Sequence, residues 1–468
     1  MRILLSRRQL LVASAAATVA PSFPSRAAGP LALTVERRTI DVNGRAASVF
    51  GIRQPDGSHG LVLDPGQRFT VAVANRCGEA TIVHWHGQTP PPLQDGVAET
   101  GGTVIQPGGT ETYDFTARPG THWMHSHHGL QEQALMAAPL IVRTAEDLRA
   151  DAQEVTVLLH DFSFRDPAEL LTSVTNGVAP GHDMATMPGM APAQAATPDL
   201  NDVEYDAYLA NDRTLDDPLV VRTAPGGQVR LRLINGGTTS AFWIDLGELD
   251  GTVVAADGNP VRPVSGRRFP LAQGQRLDIL LSLPREGGAF PVLAQREGDR
   301  ERTGIVLASA GAAVRKLSGM ADAAAPAIDN SLERRLVAEA PLAASVAGIT
   351  HRVALTGSMM PYVWSLDDRT WADRRPLRAG KGQRVVIEMV NRTRMAHPMH
   401  LHGHHFQVVG LDGSLLAGAV RDTVLVPVDG SVTVAFDADN PGRWLFHCHN
   451  LFHMATGMMT ELTYDGVA

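Results

Sequence analysis

Pro65-Gly66-Gln67-Arg68-Phe69, running on to Asn75, occurs three times in this chain in slightly altered form. Its counterparts are Pro225-Gly226-Gly227-Gln228-Val229 to Asn235 and Lys381-Gly382-Gln383-Arg384-Val385 to Asn391. Each is a glycine turn, then an alternating or apolar strand, then Asn. The three Asn residues are 160 and 156 positions apart, far beyond the roughly 20–50 residues of a solenoid repeat. A repeat of that length marks whole domains. The chain is long enough for about three. Its 468 residues include 45 Gly and 30 Pro, which favour short strands and frequent turns. These features predict an all-β protein of Greek-key sandwiches. The expected domains are 31–145, 150–313 and 348–468. The Ala- and acid-rich stretch 314–347 reads as a linker, partly helical.

The repeat also places histidines. Nine and eleven residues beyond Asn75 stand His84 and His86, and the same offsets from Asn391 reach His400 and His402. From Asn235 they reach Ile244 and Leu246. Domains 1 and 3 therefore present matched imidazole pairs and domain 2 presents aliphatic residues. Two further pairs are His125/His127 and His447/His449. Each pair sets two imidazoles on one strand face. Eight imidazoles suit three copper ions, because imidazole binds copper well and copper heads the affinity order. The simplest geometry clamps them between domains 1 and 3, with domain 2 as a spacer. In His447-Cys448-His449-Asn450-Leu451-Phe452-His453 the same alternation turns Cys448 the other way. Cys448, His453, Met458 and the remaining His397 make a His₂Cys(Met) set suited to one-electron transfer by copper. The backbone from Cys448 to His447 and His449 is a short covalent path for electrons. A single His-x-His is commonly just a polar strand face. Four, one of them bracketing a Cys, point to copper.

The pattern resembles the multicopper oxidases. The matching residues are His84-Trp85-His86-Gly87, His125-Ser126-His127, His397-Pro398-Met399-His400-Leu401-His402-Gly403, and His447 through Met458. The resemblance spans nearly the whole chain after its N-terminal segment. It implies three cupredoxin-like domains and four copper ions, one type 1, one type 2 and two type 3. By position, His397, Cys448, His453 and Met458 match the type 1 ligands. His84 and His400 match type 2, and His86, His125, His127, His402, His447 and His449 match the type 3 pair. Asp95 matches the acid that many members place beside the cluster, implying a proton relay to reduced oxygen. Read without the resemblance, Asp95 is a turn residue before Gly96. Some copper-oxidising relatives carry an acid just after the last type 1 His; Met454 stands there in this chain. The implied reaction couples one-electron oxidation of a reductant to four-electron reduction of dioxygen to water.

Hydrophobic residues make up 44% of the chain and its net charge is −8. Basic runs are absent outside the N-terminus, so nucleic acid is not an expected partner. Ser6-Arg7-Arg8-Gln9-Leu10-Leu11, the apolar run Leu10 to Ala20 and small residues at Ser25 to Ala28 form a twin-arginine signal peptide over residues 1–28. The run is too short for a membrane span. Export of the folded protein to the periplasm follows, and the mature chain loses four arginines and no acid. If Cys448 binds copper, Cys77 has no partner for a disulfide and reads as a small buried hydrophobe.

The reductant is the open choice. His182-Asp183-Met184-Ala185-Thr186-Met187-Pro188-Gly189-Met190 offers an imidazole (His182) and the thioethers of Met184, Met187 and Met190. These are soft ligands suited to Cu(I) as a substrate, although methionine also fills gaps in apolar loops. Segments His127 to Gln133 and Tyr362 to Ser365 look like those of bacterial copper-resistance multicopper oxidases. Larger members carry longer Met-rich insertions than this chain. The first expectation is therefore a Cu(I) oxidase serving copper tolerance. The alternative is a laccase-like oxidase of phenols or aromatic amines. A third reading, of another class, is a periplasmic copper-storage protein without turnover. A two-domain copper nitrite reductase would need fewer His-x-His pairs.

Overall fold

The computed structural model describes residues 29–177 and 200–467. The signal segment 1–28 and the His182, Met184, Met187 and Met190 segment lie outside the described residues. Strands pair into six sheets, two for each repeat, and no sheet mixes strands of different repeats. The three repeated segments become equivalent strands, Arg68–Asn75, Gln228–Asn235 and Arg384–Asn391. Each pairs in parallel with the first strand of its domain: Leu31–Val42, Gln153–Phe162 or Ile349–Met359. Each pairs antiparallel on its other edge with Thr110–Thr116, Arg276–Ser282 or Ser431–Asp437. Alternation buries Phe69, Val71 and Val73 in the first domain. In the second, Ile234 is buried as well, because the outer face of that strand packs on Trp123 and Ala137 of domain 1. A strand covered on both faces loses its simple alternation.

The repeated Gly and Asn have one mechanical explanation. Gly66, Gly226 and Gly382 hold φ of +73°, +70° and +80° at the turn into the strand, a conformation that costs a residue with Cβ but not glycine. Each Asn then fixes the exit. Asn391 Nδ2 donates to the carbonyls of Met395 and Val426 at 2.6 and 3.2 Å, and its Oδ1 accepts from Thr393 N at 2.9 Å. Asn75 repeats this with Glu79, Ile105 and Cys77, and Asn235 with Ser240, Leu271 and Gly237. The side chain satisfies buried backbone groups where the chain crosses between sheets, which is what the fold requires of any buried polar group. The histidine-bearing strands start just beyond. In domain 2 the matching Ile244 and Leu246 enter the core.

The stretch 314–347 forms no helix; it has turns at 331–335 and otherwise runs irregularly. Its polar groups go to its neighbours instead. Pro326 O accepts from Trp243 Nε1, Ile328 N donates to Glu297, and Asn330 Nδ2 donates to Leu425 O. Leu332 and Leu336 are buried. This segment is a packed strap joining domain 2 to domain 3. Among the described residues no helix is long and apolar enough to cross a membrane.

Replacing Asn391 with Ala removes a donor from the Met395 and Val426 carbonyls and leaves the Thr393 amide without its acceptor. The variant is expected to lose about 1–3 kcal/mol of stability in the third domain, the cost of one orphaned buried group. An unchanged urea unfolding profile would contradict this account of the repeat.

Candidate metal centres

Strand Arg443–Cys448 lies beside strand His397–Leu401, with Met399 opposite Cys448 and His400 opposite His447. Alternation along these two strands sends Cys448 and His397 to one group and His447 and His400 to another. The expected strand ends at Cys448. Asn450 then caps the short helix Leu451–Thr456, accepting from the amides of Phe452 and His453. That turn swings His453 back over Cys448.

The first group holds Cys448 Sγ 3.6 Å from His397 Nδ1 and 3.7 Å from His453 Nδ1. The Cys448 amide donates to Met458 O at 3.0 Å, which ties Met458 to the same corner. All four residues are fully buried. The single hydrogen of Thr393 Oγ1 goes to Asn391 Oδ1 or Met395 O, both of them acceptors, so the hydroxyl oxygen accepts from His397 Nε2 at 2.7 Å. The lone pair of His397 is thereby left on Nδ1, facing the sulfur. His453 Nε2 faces Asp202 Oδ2 at 3.2 Å. The ring of His453 lies 4.1 Å from that of Trp364. Burial pushes the Cys448 thiol up. Only a cation between the sulfur and the two nitrogens would favour a thiolate there, so the donor set fits a thiophilic metal.

The second group brings together His84, His86, His125, His127, His400, His402, His447 and His449. Rings from the two domains interleave, with His86 stacked on His400 at 3.8 Å and His84 on His402 at 4.0 Å. One nitrogen of most rings points outward to an acceptor oxygen. His84 Nδ1 donates to Asp95 O and His402 Nδ1 to Asp95 Oδ2, both at 2.8 Å. His400 Nδ1 donates to Asp422 O, and His447 Nδ1 to Cys448 O, both at 2.9 Å. His86 Nε2 donates to Asp422 Oδ1 at 3.0 Å. His125 Nδ1 lies 2.8 Å from Glu132 Oε2. Carbonyl oxygens, including Ser126 O at 3.2 Å from His125 Nδ1, and the ionised Asp422 can only accept; they fix the tautomers of the rings they hold and leave lone pairs on the inward nitrogens. Six of these, His84 Nε2, His86 Nδ1, His125 Nε2, His127 Nε2, His400 Nε2 and His449 Nε2, are buried without hydrogen-bond partners. His402 Nε2 and His447 Nε2 face each other at 2.9 Å. Lone pairs held so close repel, and a shared cation is the chemistry that fits them. Burial, reinforced by neighbouring imidazoles, holds His125, His127, His402, His447 and His449 well below the usual histidine range. Neutral imidazole is the metal-binding form.

Asp95 occupies the expected turn. It follows the short turn Pro92–Gln94 and precedes Gly96 at φ +80°, and its carboxylate reaches the cluster. Two other acids escaped the sequence. Asp422 supports His86 and His400 as described. Burial works against its charge, but the Arg276 guanidinium outweighs burial and holds it well below the usual carboxylate range. The sequence signal was Arg421-Asp422 inside an apolar run, since charges buried in a strand need partners. Glu132 sits in the quoted His127-to-Gln133 segment but had no spacing to mark it. Burial pushes its carboxyl up to about 8. Of the extra histidines, His404 bonds Tyr464 and His405 bonds Gly87 O, away from both groups. Met395 and Met399 belong to the core. Cys77 is buried and unpaired.

Domain 2 is more than a spacer. Asp202, with Thr238 O accepting from Leu451 N, braces the His453 helix. Gly274, at φ +76°, lies against His449; a Cβ there would sit 2.8 Å from the ring. Gly274→Ala is therefore expected to displace His449 and weaken metal binding by the eight-imidazole group about 10–100-fold, the usual cost of disturbing a ligand's support. Metal analysis under chelator competition would measure it, and wild-type retention would refute the contact.

Three sequence profiles, each described as multicopper oxidase, match residues 34–147, 154–314 and 347–466. The multicopper oxidase MmcO of Mycobacterium tuberculosis is 32% identical over 450 residues, covering 92% of this chain and 86% of that protein. Copper resistance protein A of Escherichia coli is 27% identical, covering 92% of each. In fold, the chain is similar to Fet3p, a multicopper oxidase that functions in iron import. The TM-score is 0.76 at 19% identity, with 93% of this chain and 90% of that one covered. On this combined sequence and structural footing the chain belongs to the multicopper oxidase family.

Proposed function

We propose that His397, Cys448, His453 and Met458 hold a type 1 copper. On the same reading His84 and His400 hold a type 2 copper, and His86, His125, His127, His402, His447 and His449 hold a type 3 pair. The protein is a copper-dependent oxidoreductase of a family that reduces dioxygen to water. The observation that supports the four-copper assignment is the set of six buried, partnerless imidazole nitrogens next to a Cys–His–His corner, joined through one strand. Bound copper would supply one-electron oxidation at the Cys448 site and dioxygen reduction at the other. The chain's own residues hold the ligands neutral, exclude water, and place the Asp95 carboxylate, which accepts from His402 Nδ1, to pass protons toward the oxygen being reduced.

Cuprous ion is the reductant we favour. Asp202 sets a buried carboxylate beside His453, which attracts a cation more than a neutral phenol. Relatives named copper resistance protein A agree with this reading. Export to the periplasm by the twin-arginine route completes it. A second reading, laccase-like oxidation of phenols, draws on a cleft of about 550 Å³ beside the His453 helix, lined by Leu171, Trp371, Met454 and Met459.

Dioxygen uptake by copper-loaded protein, with Cu(I) or a phenol as sole reductant, decides between them. Fast uptake with Cu(I) and little with the phenol is the expected result; the reverse would establish the laccase reading. Cys448→Ser is expected to keep the fold while losing both the blue absorption and the uptake. Unchanged turnover in that variant would rule out the type 1 assignment. Asp202→Asn, which also loosens the support of His453, is expected to lower kcat/KM for Cu(I) about tenfold more than that for the phenol, the equivalent of about 1.4 kcal/mol of lost charge attraction. An equal loss for both reductants would remove the charge argument.

A further inference from the structure

We propose that Arg276, from the domain that carries no copper ligand, is the positioning residue of the eight-imidazole copper site and acts through Asp422. The inference rests on the reading of His86 and His400 as copper ligands. Arg276 is fully buried and touches all three domains. Its guanidinium grips Asp422 of domain 3 with both nitrogens, Nη1 to Oδ1 at 2.7 Å and Nη2 to Oδ2 at 2.5 Å. Its Nε donates to Thr121 O of domain 1 at 3.2 Å, and Nη1 also donates to Gly274 O at 2.9 Å. Asp257 Oδ1 accepts from its backbone amide at 2.8 Å. Asp257 is held in turn by Arg421, which also binds Glu333 of the strap.

Asp422 has two tasks, and the first depends on the orientation of its carboxylate. Its Oδ1 takes the Nε2 proton of His86 from domain 1, and its backbone carbonyl takes the Nδ1 proton of His400 from domain 3. Together these leave the free nitrogens, His86 Nδ1 and His400 Nε2, turned into the cluster. Thr423 Oγ1 donates to the same Oδ1 at 2.9 Å. A carboxylate can rotate about its Cβ–Cγ bond. A planar two-pronged guanidinium fixes both its oxygens, whereas an ammonium is a point charge that fixes only one direction. Arg276 therefore sets the plane of Asp422, and that plane sets which nitrogen of His86 is free.

The test compares wild type with Arg276→Lys, Arg276→Gln and the double variant Arg276→Met with Asp422→Asn, each loaded with copper. The blue absorption at Cys448 serves as an internal measure of folding, since Arg276 makes no contact with that site. Cluster copper is followed by chelator competition and by the electron paramagnetic resonance signal of the type 2 ion. Expected are a 10–100-fold loss of cluster affinity in Arg276→Gln, a smaller loss in Arg276→Lys, and altered type 2 parameters in both, with the blue absorption retained. The double variant removes the buried charge pair together and is expected to regain thermal stability without regaining cluster affinity. Wild-type affinity and type 2 parameters in Arg276→Gln would overturn the inference. So would parallel loss of blue absorption and cluster copper in every variant, the mark of a merely structural residue. A wild-type protein that takes up the Cys448 copper but no cluster copper would instead sink the ligand assignment, and this inference with it.

Discussion

Taking ten imidazoles and a thiol out of water is the constraint on which the rest of this structure depends. A buried polar group without a partner is costly. The chain meets that cost on one side of each ring only. Outward nitrogens are bound by carbonyls and carboxylates of the protein, and inward nitrogens are left for metal. The acids Asp95, Asp422 and Glu132 surround the cluster for this reason. Each is buried, and each is matched to an imidazole or an arginine.

The same constraint explains why three domains are needed when two supply the ligands. Domains 1 and 3 meet along the histidine strands. Domain 2 covers the flanks of that seam, supplying Arg276 and Gly274 beneath the cluster and Asp202 beside His453. The strap from 314 to 347 holds domain 2 through Pro326 and Ile328 and domain 3 through Asn330 and Glu333. A metal-free domain is thus built into the metal sites.

Much of this was legible in the sequence because it is periodic. The glycine turn, the strand and the Asn corner recur at domain spacing, and the His-x-His pairs sit at fixed offsets from the Asn. Those features depend on local geometry, which sequence spacing encodes. Asp422, Glu132 and Asp202 were not legible as partners of histidines, because they arrive from other strands and loops. Asp422 lies 336 residues from His86. The strap was misread as partly helical because composition reports propensity, and its backbone groups are committed to two neighbouring domains. The fold of the helix after Cys448 was missed for a smaller reason. Asn450, a strong helix cap, stands inside what reads as a continuing strand.

The pairing of Met399 with Cys448 and of His400 with His447 carries a further consequence. Side chains on neighbouring positions of these two strands belong to different groups, the Cys–His–His corner and the imidazole cluster. A slip of one residue in either strand would turn every ligand to the opposite face. Both sites would then be scrambled at once. Strand alignment is therefore checked by both groups together: only the correctly aligned sheet brings the thiol and the imidazoles each to their own side.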